Sequence, residues 1–108
     1  MNKLIRKFIA ATNAFDVETA LSLFAANSVI EDVSVGTKFV GTTGVREYLE
    51  TYFVGYHTVS KLMSVEMVDH HQAKAHLDFT GDFGHETGFL DVTVGPDGLI
   101  ASINADLD

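Results

Sequence analysis

Residues 59–105 read VSKLMSVEMVDHHQAKAHLDFTGDFGHETGFLDVTVGPDGLIASINA, and the fold is decided there. The stretch is rich in β-branched and aromatic residues, broken at short intervals by DHHQ, GDFGHE and GPDG, and no long helical spacing returns after Gly55. Such punctuation predicts four strands in meander order. Within the second, Ala75, Leu77 and Phe79 alternate with Lys74, His76, Asp78 and Thr80, so one face is apolar and needs a cover. Gly95-Pro96-Asp97-Gly98 is the clearest turn, because proline presets φ at one corner and glycine accepts positive φ at another.

Working back from this half, the period changes. Leu4, Ile5, Phe8, Ile9, Thr12 and Phe15 fall on one helical stripe. Asp16, a good N-cap, opens a second helix whose stripe is Val17, Ala20, Leu21, Phe24 and Ala25. Residues 28–35, SVIEDVSV, alternate instead: Ile30, Asp32 and Ser34 face one way, Val29, Glu31, Val33 and Val35 the other, which predicts a strand. Gly36 turns the chain, Phe39 and Val40 touch the sheet again, and Thr42 or Thr43 starts a third helix carrying Val45, Tyr48, Leu49, Tyr52 and Phe53. Three N-terminal helices followed by a meander make a single α+β domain over residues 1–108. The sheet's other face is amphipathic. Val92, Val94 and Ile100 hint at an apolar surface there, which a homodimer through the sheet would cover.

Composition narrows the function classes. A chain of 108 residues with 46% hydrophobic and 20% charged content can bury roughly two-thirds of its unfolded surface without staples. Fifteen acidic against seven basic residues give a net charge of −8, which repels phosphate backbones and anionic lipid and argues against a nucleic-acid partner. With no cysteine there is no disulfide framework, thiolate nucleophile or thiolate metal site. The opening MNKLIRKFIAA has the basic residues of a signal peptide, but Arg6 and Lys7 interrupt its apolar run, so a structural helix in a cytoplasmic protein is expected. No run of about 18–20 apolar residues offers a membrane span.

DVETALSLFAANSVIEDVSVG (16–36), GTTGVREYLETYF (41–53) and GFLDVTVGPDGLIASI (88–103) together resemble the nuclear transport factor 2-like superfamily, in its SnoaL-like and ketosteroid-isomerase-like branch. The resemblance implies a cone: three helices against a strongly curved, mostly antiparallel mixed sheet that encloses an apolar pocket open at one end. It also implies that Asp32, in IED, takes the place of the isomerase general base. Asp91, in FLDV, takes that of the pocket aspartate that stays protonated as a hydrogen-bond donor in isomerases and serves SnoaL-type cyclases as acid and base. Both carboxylates would then face one pocket. The lining expected is Phe8, Phe24, Tyr52 and Phe53 from the helices with Ile30, Leu77, Phe79, Phe89 and Ile103 from the sheet. Two departures stand out: Phe8 lies where the isomerases keep an oxyanion-holding tyrosine, and a second such tyrosine falls at Leu49, with Tyr48 and Tyr52 displaced. The oxyanion hole would be reduced to Asp91.

The implied function is a small-molecule pocket protein, an isomerase or cyclase moving a proton on an apolar carbonyl ligand through Asp32 and Asp91 without a cofactor. The alternative is a non-catalytic dimeric module that binds a ligand or a protein. No metal site is expected. His70-His71 and His85-Glu86 are sequence neighbours that point apart on a strand or sit in a turn, and neither pair has ligand spacing. GTTG lacks the lysine of a phosphate loop, and no serine is framed by glycines as a nucleophile.

Overall fold

The computed structural model describes residues Met1–Asp108. Helix α1 (Asn2–Asn13) buries the stripe Ile5, Phe8, Ile9 and Thr12. Helix α2 (Val17–Leu21) starts at Asp16, whose side chain accepts a hydrogen bond from the Thr19 N–H at 3.1 Å. Strands β1 (Phe24–Asp32) and β2 (Thr37–Val40) come next, then α3 (Gly41–Tyr48), which continues into a π-helical segment over Leu49–Val54. Four strands complete the chain: β3 (Val59–Met67), β4 (Gln72–Gly81), β5 (Gly84–Val94) and β6 (Ile100–Leu107). The three helices therefore do not run together, because the β1–β2 hairpin separates the first two from the third.

The second helix is shorter than its stripe suggested. Phe24 and Ala25 belong to β1, where Phe24 pairs with Ile100 of β6 and the Ile100 N–H donates to the Leu23 carbonyl at 2.9 Å. Ladder hydrogen bonds made across the sheet outweigh a helical pattern whose last two members Phe24 and Ala25 were. Phe24 stays buried in either conformation, which is why spacing alone could not separate them.

All six strands form one mixed sheet in the order β2-β1-β6-β5-β4-β3, with β1–β6 parallel and every other pair antiparallel. The helices cover one face. There Ile30, Ala75, Leu77, Leu90, Val92, Ile103 and Ala105 meet Ile5, Phe8, Val45, Leu49 and Phe53 in a single core. Val92 and Ile100 lie in this core, 3% and 1% exposed, so they contribute nothing to an apolar outer face. The outer face is crossed by a polar row instead. One row of paired residues crosses all six strands: Lys38, Glu31, Asn104, Asp91, Lys74 and Glu66.

Five residues expected to line a cavity are structural. Phe8 stacks edge-on against Phe24 and Phe53, with ring centres 5.8 and 6.1 Å apart, while Ile30, Leu77 and Ile103 are at most 2% exposed. No helix is long and apolar enough to cross a membrane. Truncation of the core separates the two roles: Leu77→Ala should cost about 2–5 kcal/mol in urea-unfolding stability, as a fully packed leucine does. A loss well under 1 kcal/mol would mean that Leu77 borders an open cavity after all.

Candidate functional site

The alternation that buries Ser28 and Ile30 in β1 carries Asp32 to the same face at the strand's end, where only 7% of it is exposed. A buried carboxylate needs donors. The tight turn after β1, closed by the Gly36 N–H on the Asp32 carbonyl at 2.9 Å, brings Ser34 back over the side chain. Ser34 donates twice to Asp32 Oδ1, from its backbone N–H at 3.0 Å and its hydroxyl at 2.6 Å. Gly36 completes this turn with φ at +80°, a conformation open to glycine. Tyr48, at the end of α3, donates its hydroxyl to Asp32 Oδ2 at 2.7 Å. Burial, and then the negative charge of Asp32, push the Tyr48 phenol well above its ordinary value, so it stays protonated and remains a donor.

Tyr48 is also where the helix changes character. From Leu49 to Val54 the backbone bonds reach five residues back, as in the Gly55 N–H to Glu50 carbonyl bond at 2.8 Å. Such a turn holds more than the 3.6 residues of an α-helix, so residues four apart come more nearly into line. Tyr48, Tyr52 and Tyr56 form a row with ring centres 5.2 and 5.6 Å apart, and Phe83 extends it at 6.4 Å from Tyr56.

This row walls a cleft of about 500 Å³. Asp32, Ser34 and Tyr48 line it, as do Tyr52, Phe53, Tyr56, Phe79 and Phe83. Of the expected lining, Tyr52, Phe53 and Phe79 are here beside Asp32. Phe89 borders only a recess of about 40 Å³ beside Asp32, and its ring is on the outer face of the sheet, with Lys74 Nζ 4.0 Å from its centre.

Asp91 is on that outer face too. It alternates with the buried Leu90 and Val92, pairs across the sheet with Lys74 and Asn104, and accepts a hydrogen bond from Gln72 Nε2 at 2.9 Å. The sheet stands between Asp32 and Asp91, so the two carboxylates share no site. The carboxylate that does join Asp32 in the cleft is Glu86. It pairs with the inward-facing Phe79, and counting back by twos from Leu90 through Gly88 reaches it. That signal lay in the sequence, but GDFGHE reads as a turn, whereas the β4–β5 hairpin closes on Asp82 and Phe83 alone. Tyr48 was masked in the same way by the alignment of Leu49, which is 1% exposed in the core.

Three of the five histidines are engaged elsewhere. His57 lies 2.9 Å from Asp82, His76 lies 2.7 Å from Asp108, and His85 lies 2.6 Å from Asp78. No three histidine or carboxylate side chains gather as a metal would require. Arg46 holds Glu18 through two nitrogens on the protein's exterior, away from the cleft.

Comparison with known proteins agrees with this frame. The sequence profile of the SnoaL-like domain matches residues 5–103. SalBIII, an epoxide hydrolase/cyclase-like enzyme of pyran ring formation in salinomycin, superposes with a TM-score of 0.86 at 19% identity, covering 99% of this chain and 89% of its own. A Mycobacterium tuberculosis protein in complex with estradiol-17β-hemisuccinate gives 0.84 at 20% identity, over 94% and 88% of the two chains. A computationally designed 17-OHP binder gives 0.84 at 18%, over 94% and 86%. At such identities the likeness is one of fold. No curated protein matches the sequence.

The Tyr48–Asp32 contact has a measurable pH signature. A phenol that titrates above its ordinary 10.0 when folded contributes stability that is whole below pH 10.0 and lost as pH rises beyond it. Tyr48→Phe should lower stability at neutral pH by about 1–3 kcal/mol, since a buried carboxylate oxygen loses its donor. It should also flatten the alkaline decline seen in urea midpoints. A variant with the wild-type slope would assign that decline to other groups.

Proposed function

The chain belongs to the SnoaL-like domain family, and on that premise we propose a small-molecule pocket protein whose cleft takes an apolar carbonyl compound and moves a proton on it. The observation that carries the proposal is Asp32, a buried carboxylate on the cleft wall with Ser34 and Tyr48 fixing both of its oxygens. On a β,γ-unsaturated carbonyl compound, Asp32 would take a proton from the carbon between the carbonyl and the double bond, and the C–H electron pair moves into the carbonyl to leave a dienolate. The carboxylic acid so formed returns the proton to the γ carbon, and the double bond moves from the β,γ to the α,β position. The base is regenerated, and no cofactor enters the balance. Phe53 and Phe79 line the cleft beside Asp32 and lower the polarity around the charges that develop.

The enolate oxygen needs a donor. Phe8 cannot serve, being a ring without a hydroxyl and packed in the core. Tyr52 can: it lines the cleft, and its hydroxyl has no hydrogen-bond partner within the protein, unlike that of Tyr48. Asp91 has no part in this scheme because of its place on the outer face.

A non-catalytic binding module is the second reading, and one observation favours it: three hydrogen bonds already satisfy Asp32. Asp32→Asn discriminates, because the amide keeps the shape and removes the base. Native mass spectrometry of freshly purified protein identifies a bound ligand, and turnover of that ligand is then compared. Loss of about 10²–10⁴-fold with unchanged affinity fits general-base catalysis. Turnover as fast as wild type removes Asp32 from the chemistry.

For the partner we propose a second copy of the chain across the outer sheet face. Turned end for end by a two-fold axis along the strands, the row Lys38, Glu31, Asn104, Asp91, Lys74, Glu66 sets Lys38 against Glu66, Glu31 against Lys74 and Asn104 against Asp91. Every charge meets its opposite or an amide. Light scattering should show a dimer that Glu31→Lys weakens and the same-chain double variant Glu31→Lys, Lys74→Glu restores. A monomeric wild type rejects the interface.

A further inference from the structure

We infer that the compound this cleft takes carries a positive charge: an apolar body with a protonated amine seated at the mouth between Glu86, Tyr56 and Phe83. The inference presupposes the ligand role proposed above and adds the charge of the ligand. Twelve residues line the cleft, and among them are two carboxylates, Asp32 and Glu86, and no lysine, arginine or histidine. The small recess beside Asp32, about 40 Å³, adds Asp106 and again no base. An anionic ligand would find hydroxyls but no cationic side chain to answer it here, inside a protein of net charge −8.

The two cleft carboxylates differ in what they are free to do. Asp32 is held by Ser34 and Tyr48, whereas the carboxylate of Glu86, an exposed residue, makes no hydrogen bond or ion pair within the chain. The histidines of the adjoining loop and of the same strand are tied to other carboxylates, His57 to Asp82 at 2.9 Å and His85 to Asp78 at 2.6 Å. Beside Glu86 the lining presents Tyr56 and Phe83, large rings that are 45% and 40% exposed. Exposed rings against water are costly, and the faces of such rings attract a cation. A carboxylate without a partner and two open rings at one mouth make an ammonium subsite, with Phe53 and Phe79 behind it for the apolar body.

Three naphthalene probes of one skeleton test this by calorimetry on the full chain: naphthylethylamine as the cation, naphthylethanol as its neutral counterpart and naphthylpropionate as the anion. The amine should bind roughly ten-fold more tightly than the alcohol, as a charge–carboxylate contact plus a cation–π contact allow, and the anion most weakly. Glu86→Gln should weaken the amine about three- to five-fold and leave the alcohol unchanged. Glu47→Gln, the same change of net charge at a position of α3 outside the lining, should leave both unchanged. Equal binding of amine and alcohol, or a ratio untouched by Glu86→Gln, overturns the cationic subsite while the cleft keeps its ligand role. Binding of none of the three overturns that role and this inference together.

Discussion

A carboxylate taken out of water must be given donors, and much of this fold is arranged around giving them to Asp32. The cost of burying an unanswered carboxylate is several kcal/mol, comparable to the whole margin by which a domain of this size is stable. Three donors meet it, two from Ser34 and one from Tyr48. Each fixes an element. The Ser34 bonds set the turn that leads from β1 to β2, and the Tyr48 bond anchors the end of α3 over the sheet. They also hold the register of β1: a slip by one residue would turn Asp32 and Ile30 outward and bring Glu31 and Val29 in. Tyr48 would then sit in the core with its hydroxyl unpaired.

With Tyr48 anchored, the next two turns of helix are constrained. Leu49 and Phe53 must stay in the core, at 1% and 5% exposure, while Tyr52 lines the cleft. An α-helix advances steadily around its axis and would carry Tyr52 and Tyr56 away from the line set by Tyr48. The extra backbone atoms of a π-helical turn hold them nearer to it. His57, with φ at +53° in the turn after the helix, then redirects the chain so that β3 can begin. A single side-chain contact at Asp32 thus propagates into a wall of aromatic rings, and the wall makes the cleft.

Where the sequence was legible, one physical signal dominated its segment. The meander from Val59 to Ala105 was readable because its turns are chemically marked and its strands alternate, and Asp32 could be placed on the inner face by counting from Ile30. Legibility failed where two signals overlapped. Phe24 satisfied both a helical stripe and a strand, and pairing with β6, set by residues more than seventy positions away, decided between them. Asp91 was assigned to the pocket by resemblance although its own neighbours, Leu90 and Val92, are the apolar pair of the alternation; period-two counting would have put it outside. Glu86 was lost to a turn that turned out to be two residues long. The π-helical segment has no composition signal at all, since its necessity lies in the contact between Tyr48 and a strand end sixteen residues earlier.

Membership in the SnoaL-like family therefore transfers a frame more securely than it transfers a site. The frame depends on where apolar residues alternate, and many sequences satisfy that. The site depends on single atoms: whether position 8 carries a hydroxyl, whether the tyrosine of α3 sits at 48 or 49, and which face the late-strand aspartate takes. In this chain each of those differs from the isomerase pattern, yet the cleft is not left bare, because Tyr48 and Tyr52 arrive from one helix and Tyr56 from the turn that ends it, where that pattern draws hydroxyls from two helices. Hydroxyls that replace one another from different elements preserve the donors while changing their direction. A ligand chosen by such a cleft must then match its charges as they stand, and those are negative at both the wall and the mouth.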